Sequence, residues 1–124
     1  MKQQDFSINK RVKSFGFAFN GLKILVQEEH NSRIHILAAT VAVIGGYIYQ
    51  LSAVEWIAIV FAIGMVIAFE IFNSAIENIS DFLSPGQSES IKKIKDLSAA
   101  GVLIGAITAA IIGLIVFVPK ITGL

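Results

Sequence analysis

The sequence predicts an all-α integral membrane protein, with an N-terminal amphipathic surface helix followed by three transmembrane helices. Three observations carry that prediction. The 124 residues are 55% hydrophobic, with a mean hydropathy of +0.73, which is far too apolar for a soluble domain of this size and fits one small membrane-embedded domain over 1–124. Apolar residues recur at helical spacing near the N-terminus. Beyond them, three apolar runs long enough to cross a bilayer are separated by short polar segments.

The surface helix is expected over about 8–30. Ile8, Val12, Phe15, Phe19, Leu22 and Val26 follow one another at spacings of 4, 3, 4, 3 and 4, so they line one stripe, and Lys10, Lys13 and Asn20 turn away from it. The segment is too charged to span, so it is expected flat on the cytoplasmic face, basic side toward headgroups or a phosphorylated ligand. QEEHNSRIH, from Gln27 to His35, is a polar connector in which Glu28 or Glu29 could meet a carboxylate of a later helix. His30 and His35 lie about 140° apart on a helix and make no metal pair; both read as interfacial residues.

The first span is expected over 34–51, with Tyr47 and Tyr49 near its outer end, and a tight turn over 50–53 leads to the second, over 54–83. Pro85 and Gly86 break that helix, and IKKIKD re-enters helical pattern before a third span over 97–118. Gly101, Gly105, Ala109 and Gly113 repeat every four residues in it, a small-residue face for close packing, and Pro119 and Lys120 close it.

Basic residues are unevenly placed. Lys2, Lys10, Arg11, Lys13, Lys23 and Arg33 precede the first span, Lys92, Lys93 and Lys95 lie between the second and third, and Lys120 alone follows the third. By the positive-inside rule the N-terminus and the loop over 82–97 of this multi-pass protein are cytoplasmic, and the C-terminus faces out. No cleavable signal is apparent, and the absence of cysteine excludes disulfides and thiolate metal sites.

Chemistry concentrates in FEIFNSAIENISD, Phe69 to Asp81. Glu70, Asn73, Glu77 and Asp81 are 3, 4 and 4 apart and fall on one helical stripe, with Ser74 beside them. Trp56 sits where an interfacial aromatic belongs, and from it to Glu70 the helix rises roughly 21 Å, against a hydrocarbon core of about 30 Å. Glu70 therefore lies just inside the far edge of the bilayer, and Glu77, about 10 Å further on, reaches water. Such acids can merely snorkel, but buried intramembrane carboxylates are costly and usually functional.

No GxxxxGK[ST], GxGxxG, HExxH or GxSxG occurs, which excludes the common nucleotide folds without excluding nucleotide use. The polar inventory gathers at the cytoplasmic boundary. Acids for a divalent ion, lysines for phosphate oxygens and a deeper carboxylate for a lipid hydroxyl are the parts of a phosphoryl transfer. A non-enzymatic membrane subunit, or a proton-path protein built on Glu70, is the alternative; it requires further polar groups through the bilayer, and away from their ends the first and third spans offer almost none, only Thr40 and Thr108.

These residues resemble the prokaryotic diacylglycerol kinase family, which includes the undecaprenol kinases, over nearly the whole chain. The resemblance rests on ExxNxAIE, here EIFNSAIE from Glu70 to Glu77 followed by Asp81, and on KDLSAAGVL from Lys95 to Leu103. It implies a lipid kinase that is a homotrimer with active sites shared between neighbours, acting on a membrane lipid with ATP and Mg²⁺ and without nucleic acid. It implies Glu70 as general base, Glu29 and Glu77 as holders of Mg²⁺, and Lys95, Asp96, Gly86, Gln87 and Ser88 as nucleotide contacts, to which the surface helix adds Lys10 and Phe17. Asn73 and Arg33 would support the lipid end. The family often has Arg and Tyr where Lys10 and Phe17 stand, which removes a bidentate phosphate contact and a phenol hydrogen bond. The diacylglycerol branch tends to carry an acid at the position of His35, and NSRIH, LSAVEW and IIGLIVFVPK look more like the undecaprenol kinases.

Overall fold

The computed structural model describes residues 7–86 and 88–123, and four helices follow one another in it: α1 Ile8–Glu28, α2 His30–Ile48, α3 Ala53–Leu83 and α4 Glu89–Thr122. Three of the starts have a side-chain cause. The Ser7 hydroxyl accepts from the Lys10 amide at 3.5 Å and the Ser88 hydroxyl from the Ile91 amide at 3.1 Å. Ser52 and Glu55 form a reciprocal capping box at the head of α3, at 3.2 and 3.0 Å.

The division between α1 and α2 falls on one residue that is neither Gly nor Pro. Glu29 adopts extended backbone, with φ −105° and ψ 107°, and so ends one helix and begins the next. Side chains from α2 fasten this elbow. The buried Ser32 hydroxyl shares its proton between the carbonyls of Leu25, at 3.0 Å, and Glu29, at 2.6 Å. Arg33 donates to the carbonyls of Val26 and Gln27 at 2.7 and 2.9 Å, satisfying the last orphan acceptors of α1. The surface helix expected to reach residue 30 thus stops at Glu28, because the polar connector turns and starts α2 early.

Two helices, α3 and α4, are long and apolar enough to cross a membrane. The segment expected as a first span over 34–51 is helical only to Ile48 and does not meet the same measure. His30, Asn31, Arg33 and His35 occupy its start, and the apolar run from Ile36 to Ile48 rises roughly 18 Å, short of a core about 30 Å thick. At its end Gln50 takes the left-handed conformation, φ 53°, while the Gln50 and Leu51 amides bond back to the Tyr47 and Gly46 carbonyls at 3.3 and 3.1 Å. This is a Schellman closure, and it drops Leu51 into the buried cluster with Ile59 and Val116.

Helices α3 and α4 are antiparallel neighbours: Glu55 pairs with Lys120 at 3.1 Å at one end, and Asp81 pairs with Lys95 at the other. The inward face of α3 is Ile59, Ala62, Val66, Glu70 and Ser74, a helical stripe that passes from apolar to polar. Two glycines set the spacing. A Cβ on Gly46 would come within 2.5 Å of the Trp56 ring, and one on Gly105 within 2.6 Å of the Phe69 ring. Trp56 therefore packs on α2 and on Tyr47, with ring centroids 5.1 Å apart. Of the small-residue face expected on α4, Gly105 seats a ring, whereas added Cβ atoms at Gly101 and Gly113 meet nothing. Large apolar side chains such as Phe61, Phe72 and Leu114 point outward and leave a surface suited to lipid or to another copy.

Candidate active site

Glu70 stands where the apolar face of α3 turns polar, its side chain only 3% exposed. Facing it from α2 is His35, whose Nε2 lies 3.1 Å from Glu70 Oε1. The approach lies off the line a hydrogen bond needs, so this buried oxygen has no hydrogen-bond partner among the described residues. His35, 24% exposed, also lines an apolar groove between α2, α3 and α4, of about 230 Å³.

One and two turns further along α3 the second carboxylate assembly appears. The Ser74 hydroxyl donates to Glu29 Oε1 at 3.2 Å, so the elbow residue, and not the exposed Glu28, reaches the stripe. Asn73, one turn before Glu77 on α3, accepts from the Ser98 hydroxyl at 2.7 Å. On the part of α3 expected beyond the bilayer edge, burial and the negative charge of Glu29 push the Glu77 carboxyl above the ordinary carboxylate range, against the pull of Lys95 and of Asn73. Two carboxylates that meet in this way could hold a hard cation, and no group of three His, Cys, Asp or Glu is assembled among the described residues.

Beyond Glu77, the turn between α3 and α4 lines an open cleft of about 670 Å³ whose walls include Asp81, Gly86, Ser88, Lys92, Lys95 and Asp96. Its size suits a nucleotide-sized ligand. Asp81 holds the Lys95 ammonium above its usual range, and Lys92 pairs with Asp96 at 2.6 Å. Gln87 lies outside the described residues.

The remaining expected residues sit elsewhere. Arg33 is bound to the elbow carbonyls. Phe17 is 74% exposed, and Lys10 lies roughly 27 Å along α1 from Glu28, so neither reaches its own chain's Glu29. Sequence reasoning missed His35 and Ser98 as parts of the site. Ser98 follows Lys95 by one helical turn on α4 and was within reach of the pattern; His35 was not, because its meeting with Glu70 depends on the register of α2 against α3.

A buried carboxylate on α3, a second pair of carboxylates further along the same helix and a lysine-lined cleft beyond them are the parts a phosphotransferase needs. Comparison with known proteins agrees. Residues 16–117 match the family described as prokaryotic diacylglycerol kinase. The chain is 34% identical to an undecaprenol kinase of Bacillus subtilis over 92% of its length and 93% of that protein's. It is 30% identical to a diacylglycerol kinase of Synechocystis sp., over 90% of this chain and 64% of that one, and 29% identical to a diacylglycerol kinase of Escherichia coli K12, over 81% and 82%. The chain belongs to the prokaryotic diacylglycerol kinase family, and it is a lipid kinase.

Proposed function

We infer that the chain transfers the γ-phosphate of ATP to the hydroxyl of undecaprenol at the cytoplasmic face of the bacterial inner membrane. The observation that supports the reading is Glu70, buried on the same α3 stripe as Glu77, with Glu29 brought to that stripe by the α1–α2 elbow. In this reading Glu70 takes the lipid O–H proton as the lipid oxygen bonds to the γ-phosphorus. The bond from that phosphorus to the β–γ bridging oxygen breaks, and ADP leaves. Glu29 and Glu77 would hold Mg²⁺, which when bound supplies charge to the phosphates. Ser74 orients Glu29, and Asn73, fixed by Ser98, orients Glu77. Gly86, Gln87, Ser88, Lys95 and Asp96 would contact the nucleotide; Lys95 offers the phosphates a cation once Asp81 yields it.

The position of Lys10 and Phe17, too far along α1 to serve their own Glu29, favours a homotrimer in which they serve a neighbour's site. The same arrangement lets α2, short for an isolated span, cross the bilayer among neighbouring helices as the first of three spans. Undecaprenol is preferred over diacylglycerol because the undecaprenol kinase relative matches across nearly its full length and NSRIH resembles that branch. The test is transfer from labelled ATP to undecaprenol and to diacylglycerol in parallel, in detergent with Mg²⁺. Faster labelling of undecaprenol supports the reading, and faster labelling of diacylglycerol reverses the assignment of the lipid.

A further inference from the structure

Several features outside the carboxylate and nucleotide sets could carry chemistry, and His35 stands apart from them. It is the sole polar side chain among the described residues lining the apolar groove, whose other walls include Ala38, Ala42, Val66, Ala106 and Phe117. Its Nε2 is also the polar atom facing the one buried carboxylate oxygen that lacks a hydrogen-bond partner. An oxygen so placed costs free energy unless something completes it.

We propose that His35 is the positioning residue for Glu70: its Nε2–H holds Oε1, so that the other carboxylate oxygen is presented to a lipid hydroxyl at the end of the groove. This rests on Glu70 as the base. The choice of side chain follows from the task. A lysine or arginine would satisfy the oxygen with a fixed positive charge and weaken the carboxylate as a base, whereas an imidazole N–H restrains it without that charge. The 3.1 Å separation is within hydrogen-bond distance, so a small rotation of the ring aligns the Nε2–H with Oε1. The ring's partial exposure to the groove lets it make that adjustment, while Glu70 itself is enclosed.

The test compares His35→Phe, His35→Gln and Glu70→Gln in the lipid phosphorylation assay, with folded protein counted by size exclusion and kcat and both KM values measured separately. Gln carries an amide N–H at the position of the imidazole Nε2, and Phe keeps the ring without a donor. His35→Phe is expected to lose about 10- to 100-fold in kcat, the scale of one hydrogen bond to a charged group, with KM for ATP and lipid within about threefold of wild type. His35→Gln is expected to recover most of that loss. If His35→Phe does not fold, His35→Leu, smaller and likewise without a donor, replaces it. Wild-type kcat in the donor-free variant, or a Gln variant no better than it, overturns the proposal while an inactive Glu70→Gln leaves Glu70 as the base. Wild-type turnover in Glu70→Gln removes the base assignment and this proposal together.

Discussion

Replacing Gly105 by Ala tests how packing between α3 and α4 positions the chemistry. The new Cβ would stand 2.6 Å from Phe69 Cδ2 and 3.2 Å from Cε2, where carbon atoms prefer about 3.5–4.0 Å, so the ring must retreat by about 1 Å. Overpacking of this kind costs about 1–3 kcal/mol, and alanine in place of a helical glycine returns about 1 kcal/mol, which leaves a net loss of up to about 2 kcal/mol. Activity should suffer more than stability. Phe69 immediately precedes Glu70, and a 1 Å misplacement of a reacting group can cost about 100-fold in rate. Gly105→Ala is therefore expected to lower kcat about 10- to 100-fold at saturating ATP, with a small fall in thermal unfolding temperature in detergent. Phe69→Leu added to Gly105→Ala should relieve the contact and restore much of the rate. Unchanged kcat and unchanged unfolding temperature in the single variant would refute the view that the Gly105 seat positions Glu70.

Two further substitutions separate function from stability. Because the Glu77 carboxyl is held above its ordinary range by burial and by Glu29, this group should increasingly destabilise the metal-free protein as pH rises through the range in which Glu77 ionises, an effect absent below that range. Glu77→Gln should raise the unfolding temperature in chelator at neutral pH while abolishing transfer; a lower unfolding temperature would contradict the clustering of the two carboxylates. At the α2–α3 turn, Gln50→Gly removes the cost of a left-handed non-glycine residue and should add up to about 1 kcal/mol of stability, read by thermal unfolding, with turnover unchanged.

The helices and the Glu70–Glu77 stripe were legible in the sequence because both follow from periodicity along one segment. The break at Glu29 was not. No Gly or Pro marks it, and its causes, the Ser32 and Arg33 bonds to α1 carbonyls, exist only once α2 has folded back. For the same reason the sequence left Glu28 and Glu29 as equal candidates, and the Ser74 hydroxyl distinguishes them. The His35–Glu70 meeting and the seating of Phe69 on Gly105 depend on the register between helices, which no single-helix pattern encodes. Lys10 and Phe17 were placed by resemblance, and their distance along α1 gives that placement meaning only if a neighbouring chain completes the site.

The central claim, that Glu70 acts on the lipid hydroxyl and leaves nucleotide binding to other residues, is tested most directly in the Glu70→Gln variant. Binding of ATP with Mg²⁺ and transfer of labelled phosphate to undecaprenol are measured on the same preparation. The account predicts nucleotide affinity like that of the wild type, with transfer reduced about 100- to 10,000-fold, the range of a lost general base. Transfer within a few-fold of wild type by folded Glu70→Gln protein would contradict it.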